Sequence, residues 1–431
     1  MISFKQWRGY FDMRRQNQGR LTNPRDSMVS MSLVIVGQIV MFACVYLLGH
    51  WYGAGTLGTF NYWMAIGSFT SSILAFRYEL ACVDDSPAES FSAFVNASLL
   101  AAVVALTSFV VTSLLGRPDL WLIELYSLAS FIQMAASLYY NSLRWYGRMA
   151  LSRIAINAAF VGFLLIDHVF DVSRGSNPFV CYTWITFGVA LAMTLSIVRS
   201  GHKQGFSSRL SRRFFIDNRS FAIYVLPSTL CNSVVHYSLS IAIPLWFGAE
   251  NGGYFSAAYR LGFFPVALVG QGLGGVFRRD AVAAVSKNDG GEGLRQVYVT
   301  YARTLALFGA LYALAASLLF APLVRLTLGP DWQETIELFN RLIPLFTLQL
   351  VFLPLAQVFL AIRSQRTDFL FQLTSCIALL TTLFLTKLAG LPVQQSVQAF
   401  SFSGAVLTVL GILLTYRVSF AKRSPLSGSA A

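Results

Sequence analysis

The sequence predicts an all-α polytopic membrane protein of about twelve transmembrane helices, arranged as two six-helix bundles related by an axis along the membrane normal. Three observations predict it: an apolar composition, a succession of long uncharged runs, and an internal repeat. Of 431 residues, 55% are hydrophobic and only 12% charged, about half the charge fraction of an ordinary soluble domain. A bilayer accommodates that much apolar surface, because each span needs roughly 20 apolar residues.

The spans follow from the uncharged runs. No Asp, Glu, Lys or Arg interrupts Ser27 to Phe76, and His50 to Gly55 within it reads as a turn between the first two spans. Further runs cover 91–116, 125–143, 175–198, 221–249, 261–277, 304–324, 342–362, 369–386 and 388–416. The weakest span is 153–170, because Asp167 and His168 lie near its end. The expected organisation is a basic tail over 1–27, a six-helix bundle over 28–198, a basic linker over 199–219, a second bundle over 220–417 and a tail over 418–431. Residues 1–27 lack the short apolar core and small-residue cleavage site of a signal peptide.

Charge sets the orientation. With the N-terminus in the cytoplasm, twelve spans leave only Arg117, Arg174, Arg325 and Lys387 outside, and Arg260 and Arg341 within spans. All other basic residues fall on the cytoplasmic side, as the positive-inside rule requires. Both termini are then cytoplasmic. The net charge of +13 reflects this topology and attraction to anionic membrane lipids, and calls for no nucleic acid. Cys44, Cys82, Cys181, Cys231 and Cys376 are scattered through the spans and read as small core residues, not as disulfides or metal ligands.

Two collinear echoes suggest duplication. Trp51-Tyr-Gly-Ala-Gly-Thr-Leu-Gly58-Thr-Phe60, running on to Gly67 and Phe69, matches Trp246-Phe-Gly-Ala-Glu-Asn-Gly-Gly253-Tyr-Phe255, running on to Gly262 and Phe264, 195 residues later. Leu115-Gly116 with Ile123-Glu-Leu-Tyr126 matches Leu328-Gly329 with Ile336-Glu-Leu-Phe339, at an offset of 213. Both halves then hold six spans in one orientation, the arrangement of alternating-access transporters with a central site.

Catalytic chemistry has no evident home. No loop is long enough for a catalytic domain, no G-x-x-x-x-G-K-[ST] loop is present, and Gly270-Gln-Gly-Leu-Gly274-Gly275 sits inside a span, where it reads as close helix packing. No cofactor or metal is implied, and the chain reads as a transporter rather than an enzyme. The informative residues are ionisable ones within the membrane, which usually face a partner or an aqueous cavity. Arg260, about two turns into span eight, is a candidate cavity cation for phosphate; the competing reading pairs it with Glu337. Arg341 has Glu337 four residues before it, the spacing of an intrahelical ion pair. Arg77 and Glu79, two residues apart, are expected to point to different sides, with Arg77 snorkelling to the interface. His236, with Asn232 one turn before it, could titrate; the blander reading is a hydrogen-bonded packing histidine. Arg260, Arg341 and Arg77 are therefore the candidate substrate-binding residues. His236, Glu337 and Glu79 are the candidates for proton or ion coupling.

Gly253-Tyr-Phe-Ser-Ala-Ala-Tyr-Arg260-Leu-Gly-Phe-Phe-Pro265 with Gly275-Val-Phe-Arg-Arg279, Arg77-Tyr-Glu-Leu-Ala81 and Leu328-Gly-Pro-Asp-Trp332 resemble segments of bacterial polysaccharide flippases. These form the oligosaccharide branch of the multidrug/oligosaccharidyl-lipid/polysaccharide exporter superfamily. The resemblance implies translocation of an oligosaccharide on a polyprenyl diphosphate carrier across the bacterial inner membrane, from the cytoplasmic to the periplasmic leaflet, by alternating access. It also implies partnership with a polysaccharide polymerase and a chain-length regulator. Arg260 occupies a matching motif position. A cation-coupled multidrug exporter of the same superfamily is the main alternative, although such pumps use buried carboxylates and the first span here has none. A polysaccharide polymerase or ligase is a second alternative, against which the short external loops weigh.

Overall fold

The computed structural model describes residues 24–420, apart from 85, 118–119, 144, 171–174, 176, 207–209, 287–291 and 363. The tails expected over 1–27 and 418–431 lie largely outside the described residues. Among those residues every regular element is a helix.

The first half begins with α1 (Pro24–Ser71), whose two limbs meet at Gly53 (φ 78, ψ 172). Glycine adopts that backbone without strain, so the turn expected between spans one and two narrows to one residue. Then follow α2 (Pro87–Leu114), α3 (Trp121–Ser142), α4 (Tyr146–Phe170) and α5 (Pro178–Lys203). Starts are well signalled: Pro87 and Pro178 stand in first turns, and the side chains of Ser86 and Asn177 accept hydrogen bonds from Glu89 N and Phe179 N, as caps should. Short α6 (Arg212–Asp217) lies in the expected linker, and a π turn at Phe221–Val225 opens the second half. The second half comprises α7 (Leu226–Phe247), α8 (Ala249–Ser286), α9 (Glu292–Thr327), α10 (Gln333–Leu355), short α11 (Val358–Ala361), α12 (Gln365–Leu388) and α13 (Val393–Phe420). Eleven of the described helices are long and apolar enough to cross a membrane. The bent α1 supplies two limbs, which makes twelve.

Both sequence echoes have structural counterparts. Gly248 (φ 93, ψ 161) separates α7 from α8 with nearly the backbone of Gly53. A Cβ on Gly58 would overlap the Ala249 carbonyl oxygen, and one on Gly253 would overlap the Ala54 carbonyl oxygen, so the two repeats cross each other reciprocally. Within each half, the next repeat glycine meets an aromatic ring from the second echo: Gly67 faces Tyr126, and Gly262 faces Phe339. The glycine-rich stretch in α8 also packs as expected, with Gly270 against Leu353 and Gly274 against Gln357.

Burial shows where the lobes join. One large core runs from Leu48, Leu57, Phe60 and Phe179 of the first half through Phe255 of α8 into Phe339 and Phe346 of the second. These first-half residues lie at the end away from the basic loops. At the basic end, the first half has its own core around Phe91, Phe94, Phe131 and Tyr139. The seam between lobes is therefore sealed at the sparsely charged end.

Candidate functional site at the seam between the lobes

Arg260 lies about three turns into α8, one turn deeper than the sequence suggested, because α8 begins at Ala249. Its side chain crosses the seam. Nη1 approaches the Met41 sulfur at 3.5 Å and Nη2 the Met64 sulfur at 3.4 Å. The hydroxyls of Tyr182, Tyr126 and Tyr237 and the Cys44 thiol lie within electrostatic reach of the guanidinium. No carboxylate pairs with it among the described residues, so the pairing with Glu337 does not form. A small pocket beside it is lined by Met41, Cys44, Asn61, Phe160 and Tyr182, among others. Sequence reasoning found Arg260 but missed these neighbours. The thioethers and tyrosines carry no ionisable signature, and only the repeat register, which sets Met41 opposite His236 and Ala65 opposite Arg260, hints that charge sits on one side only.

His236 is exposed midway along α7, as is Asn232 one turn earlier. Its ring lies against Tyr237, Tyr259 and Phe263, at 4.9, 6.3 and 6.3 Å. On the same helix Ser233 contacts Ser72 across the seam at 3.1 Å.

Arg77 and Glu79 require a correction. They do not diverge: Arg77 Nη1 sits 2.9 Å from Glu79 Oε1, and the Glu79 side chain is 1% exposed. The expectation assumed continuous helix. Instead Phe76 (φ 51) and Arg77 (φ 67) are both left-handed, and Tyr78–Cys82 forms a separate 3-10 turn. Left-handed backbone is uncommon for residues with side chains, and here it folds the guanidinium back onto the carboxylate. Neither Glu79 oxygen receives an aligned hydrogen bond. Burial pushes the Glu79 carboxyl above its ordinary range, against the opposing pull of Arg77 beside it. The linker docks on this turn and on α2: the Tyr78 hydroxyl donates to the Phe215 carbonyl at 3.3 Å, and Ser211 N donates to Asn96 Oδ1 of α2 at 2.9 Å.

Arg341 also departs from expectation. It donates to Gln398 of α13 rather than pairing with Glu337, which is exposed. The neighbouring Glu334 accepts from Gln394 at 2.8 Å, so α13 glutamines satisfy the charges of α10. The candidate residues thus fall into separate places: Arg260 at the seam, His236 on the accessible face of α7, Arg77 with Glu79 at the basic end, and Arg341 between α10 and α13.

Residues 182–337 match a family of polysaccharide biosynthesis proteins. That region covers α7, α8 and Arg260. In structure, the chain resembles a lipid II flippase, MurJ, in an inward closed conformation, at a TM-score of 0.70 and 10% identity over 90% of this chain and 87% of that one. This is a likeness of fold, which the chain shares with transporters of the multidrug/oligosaccharidyl-lipid/polysaccharide exporter superfamily. An inward-facing multidrug resistance transporter of the superfamily's MATE family aligns at a TM-score of 0.60 with 14% identity, over 93% and 96% of the two chains. A superfamily transporter from Pyrococcus furiosus, titled for the reverse polarity of its binding pocket, aligns at 0.56 with 15% identity over 93% and 96%. No curated protein matches by sequence. The chain is a multi-pass membrane protein.

Proposed function

We propose that the chain is a flippase that carries polyprenyl-diphosphate-linked oligosaccharide units from the cytoplasmic to the periplasmic leaflet of the inner membrane for surface polysaccharide synthesis, by alternating access and without bond chemistry. The observation that carries this reading is Arg260: a mid-helix guanidinium at the seam of two lobes, without a carboxylate among the described residues. A cationic drug would be repelled there, whereas a diphosphate offers paired acceptor oxygens that suit the planar fork. The polysaccharide family match over the segment that carries Arg260 points the same way. On this reading the basic end is cytoplasmic and receives the substrate. Arg260 is the first contact for phosphate, and His236 with Asn232 offers the polar face along which sugars pass. Arg341 and Arg77 are already engaged by Gln398 and Glu79, and support the lobes rather than the cargo.

The test is deletion in the native host, with surface polysaccharide measured and lipid-linked oligosaccharide assigned to each leaflet. Loss of surface polymer is expected, with repeat units trapped on the cytoplasmic side. Complementation by Arg260→Ala should fail at normal membrane abundance, and Arg260→Lys should restore only part of the activity. Unchanged polymer and leaflet distribution together with new sensitivity to cationic drugs would replace this reading by the drug exporter. Repeat units that reach the periplasmic leaflet but stay unpolymerised would indicate a polymerase or ligase.

A further inference from the structure

Arg260 belongs to the second half, yet its guanidinium is lodged in the first. Its two nearest acceptors are thioether sulfurs, Met41 on one limb of α1 and Met64 on the other, and sulfur is a weak acceptor. The pocket that Met41 lines with Cys44, Asn61, Tyr182 and Arg260 itself holds about 10 Å³, room for about one water. Asn61 Oδ1, buried in its wall, has no hydrogen-bond partner among the described residues. A cation desolvated in such a site is held by fit rather than by charge, and it stays responsive to any anion that competes.

Its position on α8 adds the second half of the argument. Gly253, about two turns earlier, makes the backbone crossing with Ala54 that seals the sparsely charged end. The same two helices therefore carry the crossing and the inserted guanidinium. Moving α8 off α1 to part that end must also withdraw Arg260 from the methionine pocket.

We propose that Arg260 is a latch between the lobes, seated in the thioether pocket while the far end of the seam is closed and drawn out by phosphate oxygens arriving from the basic end. Phosphate oxygens bind a guanidinium through paired, charge-assisted hydrogen bonds, which the pocket's sulfurs cannot match. A ligand shifts a two-state equilibrium only through such differential affinity. The identity of the phosphate bearer rests on the flippase reading; the latch itself rests on the contacts of Arg260.

Cys44 provides the reporter. It lines the pocket and is 3% exposed, so it should react with a small water-soluble methanethiosulfonate only when Arg260 leaves. The measurement is the labelling rate of Cys44 in the full chain in lipid nanodiscs, with the other four cysteines replaced by serine. The additions are a polyprenyl diphosphate, inorganic pyrophosphate, or the uncharged polyprenol. The diphosphate should accelerate labelling by about tenfold, a population shift that a modest affinity difference produces. Acceleration by pyrophosphate as well assigns the trigger to phosphate alone, and acceleration only by the lipid assigns it to the membrane-borne carrier. Arg260→Ala should label fast without ligand and ignore it. Met64→Glu, which supplies a carboxylate to the seated guanidinium, should label slowly and resist the diphosphate. Cys44 labelling unchanged by every addition, or accelerated equally by the polyprenol, would overturn the latch, as would an Arg260→Ala protein that protects Cys44 as well as the parent. A latch that responds in nanodiscs while deletion traps no repeat units would overturn the flippase reading and leave the latch standing; the reverse pattern removes the latch alone.

Discussion

In the first half of the chain, Gly53 turns α1 back on itself, Gly67 admits the ring of Tyr126, and Trp51 stacks on His168 at 4.1 Å. In the second half, Gly248 turns α7 into α8, Gly262 admits the ring of Phe339, and Trp246 lies beneath the Lys387 ammonium. Position by position, the scaffold repeats. The charges do not. Where the second half has His236 and Arg260, the repeat register gives the first half Met41 and Ala65. Where α8 runs on unbroken to Ser286, the first half stops at Ser71 and folds into the left-handed Phe76–Arg77 hinge. Duplicated backbone is retained where chains approach too closely for any side chain. Duplicated side chains are free to diverge where the lobes face one another. The difference makes a one-sided site, in which one lobe supplies the cation and the other supplies the pocket.

The largest expected effect comes from the element the halves share most closely. A Cβ at Gly58 or at Gly253 would meet backbone carbonyl oxygen rather than a yielding side chain. Overpacking of yielding cores costs about 1–3 kcal/mol, and backbone contacts yield less. Gly58→Val and Gly253→Val should each hold the sparsely charged end apart. Both proteins should reach the membrane, lose surface-polymer complementation at least about tenfold, and expose Ala54→Cys to thiol reagent. If the crossing is truly reciprocal, the two variants behave alike. A Gly58→Val protein with full activity beside an inactive Gly253→Val would break the symmetry argument.

Much of this scaffold is readable in the residues themselves. Uncharged runs place the spans, and the 195-residue echo alone pairs Gly58 with Gly253 and Gly67 with Gly262. Each of those glycines proves to be a point of close approach. The site is less legible. Arg260 stands out because a guanidinium is costly within a span, but its acceptors, Met41 and Met64, look like any lipid-facing or core methionine. Arg77 with Glu79 and Arg341 with Glu337 depart from what their spacing predicts for opposite reasons. The first pair lies on left-handed backbone and a 3-10 turn, where helical directions do not apply. The second has ideal helical spacing, yet Gln398 from another helix outcompetes it. Local spacing describes what an isolated helix can do, and the partner that wins is set by packing.

A smaller effect sharpens the comparison inside each half. At Gly67 an added methyl would press on the Tyr126 ring, and at Gly262 on Phe339, with Phe346 at 3.1 Å behind it. The added carbon would lie 2.4 Å from the Tyr126 ring and 2.1 Å from the Phe339 ring, so each ring must move by about an ångström, and Gly67→Ala and Gly262→Ala should each destabilise by at least about 1–3 kcal/mol. Gly262→Ala should cost more, because two rings surround it. Thermal unfolding of the purified proteins measures this. Phe339→Leu should recover part of the Gly262→Ala loss and none of the Gly67→Ala loss, the coupling expected only of residues in contact. Equal recovery in both would mean that the two ring seats are not independent counterparts.

The smallest effect belongs to the hinge that the second half lacks. The folded protein raises the Glu79 pKa above 4.5, chiefly through burial, with Arg77 opposing. A carboxyl whose native pKa exceeds its unfolded value favours folding most below the unfolded pKa, and that contribution is lost as pH rises through the native value. The wild-type protein should therefore lose thermal stability relative to Glu79→Gln as pH rises from about 4.5 toward neutrality, because glutamine keeps the neutral form at every pH. The opposite slope, with wild type gaining on Glu79→Gln as pH rises, would mean that the 2.9 Å contact with Arg77 outweighs burial. The hinge would then be clamped by its ion pair rather than loosened by ionisation.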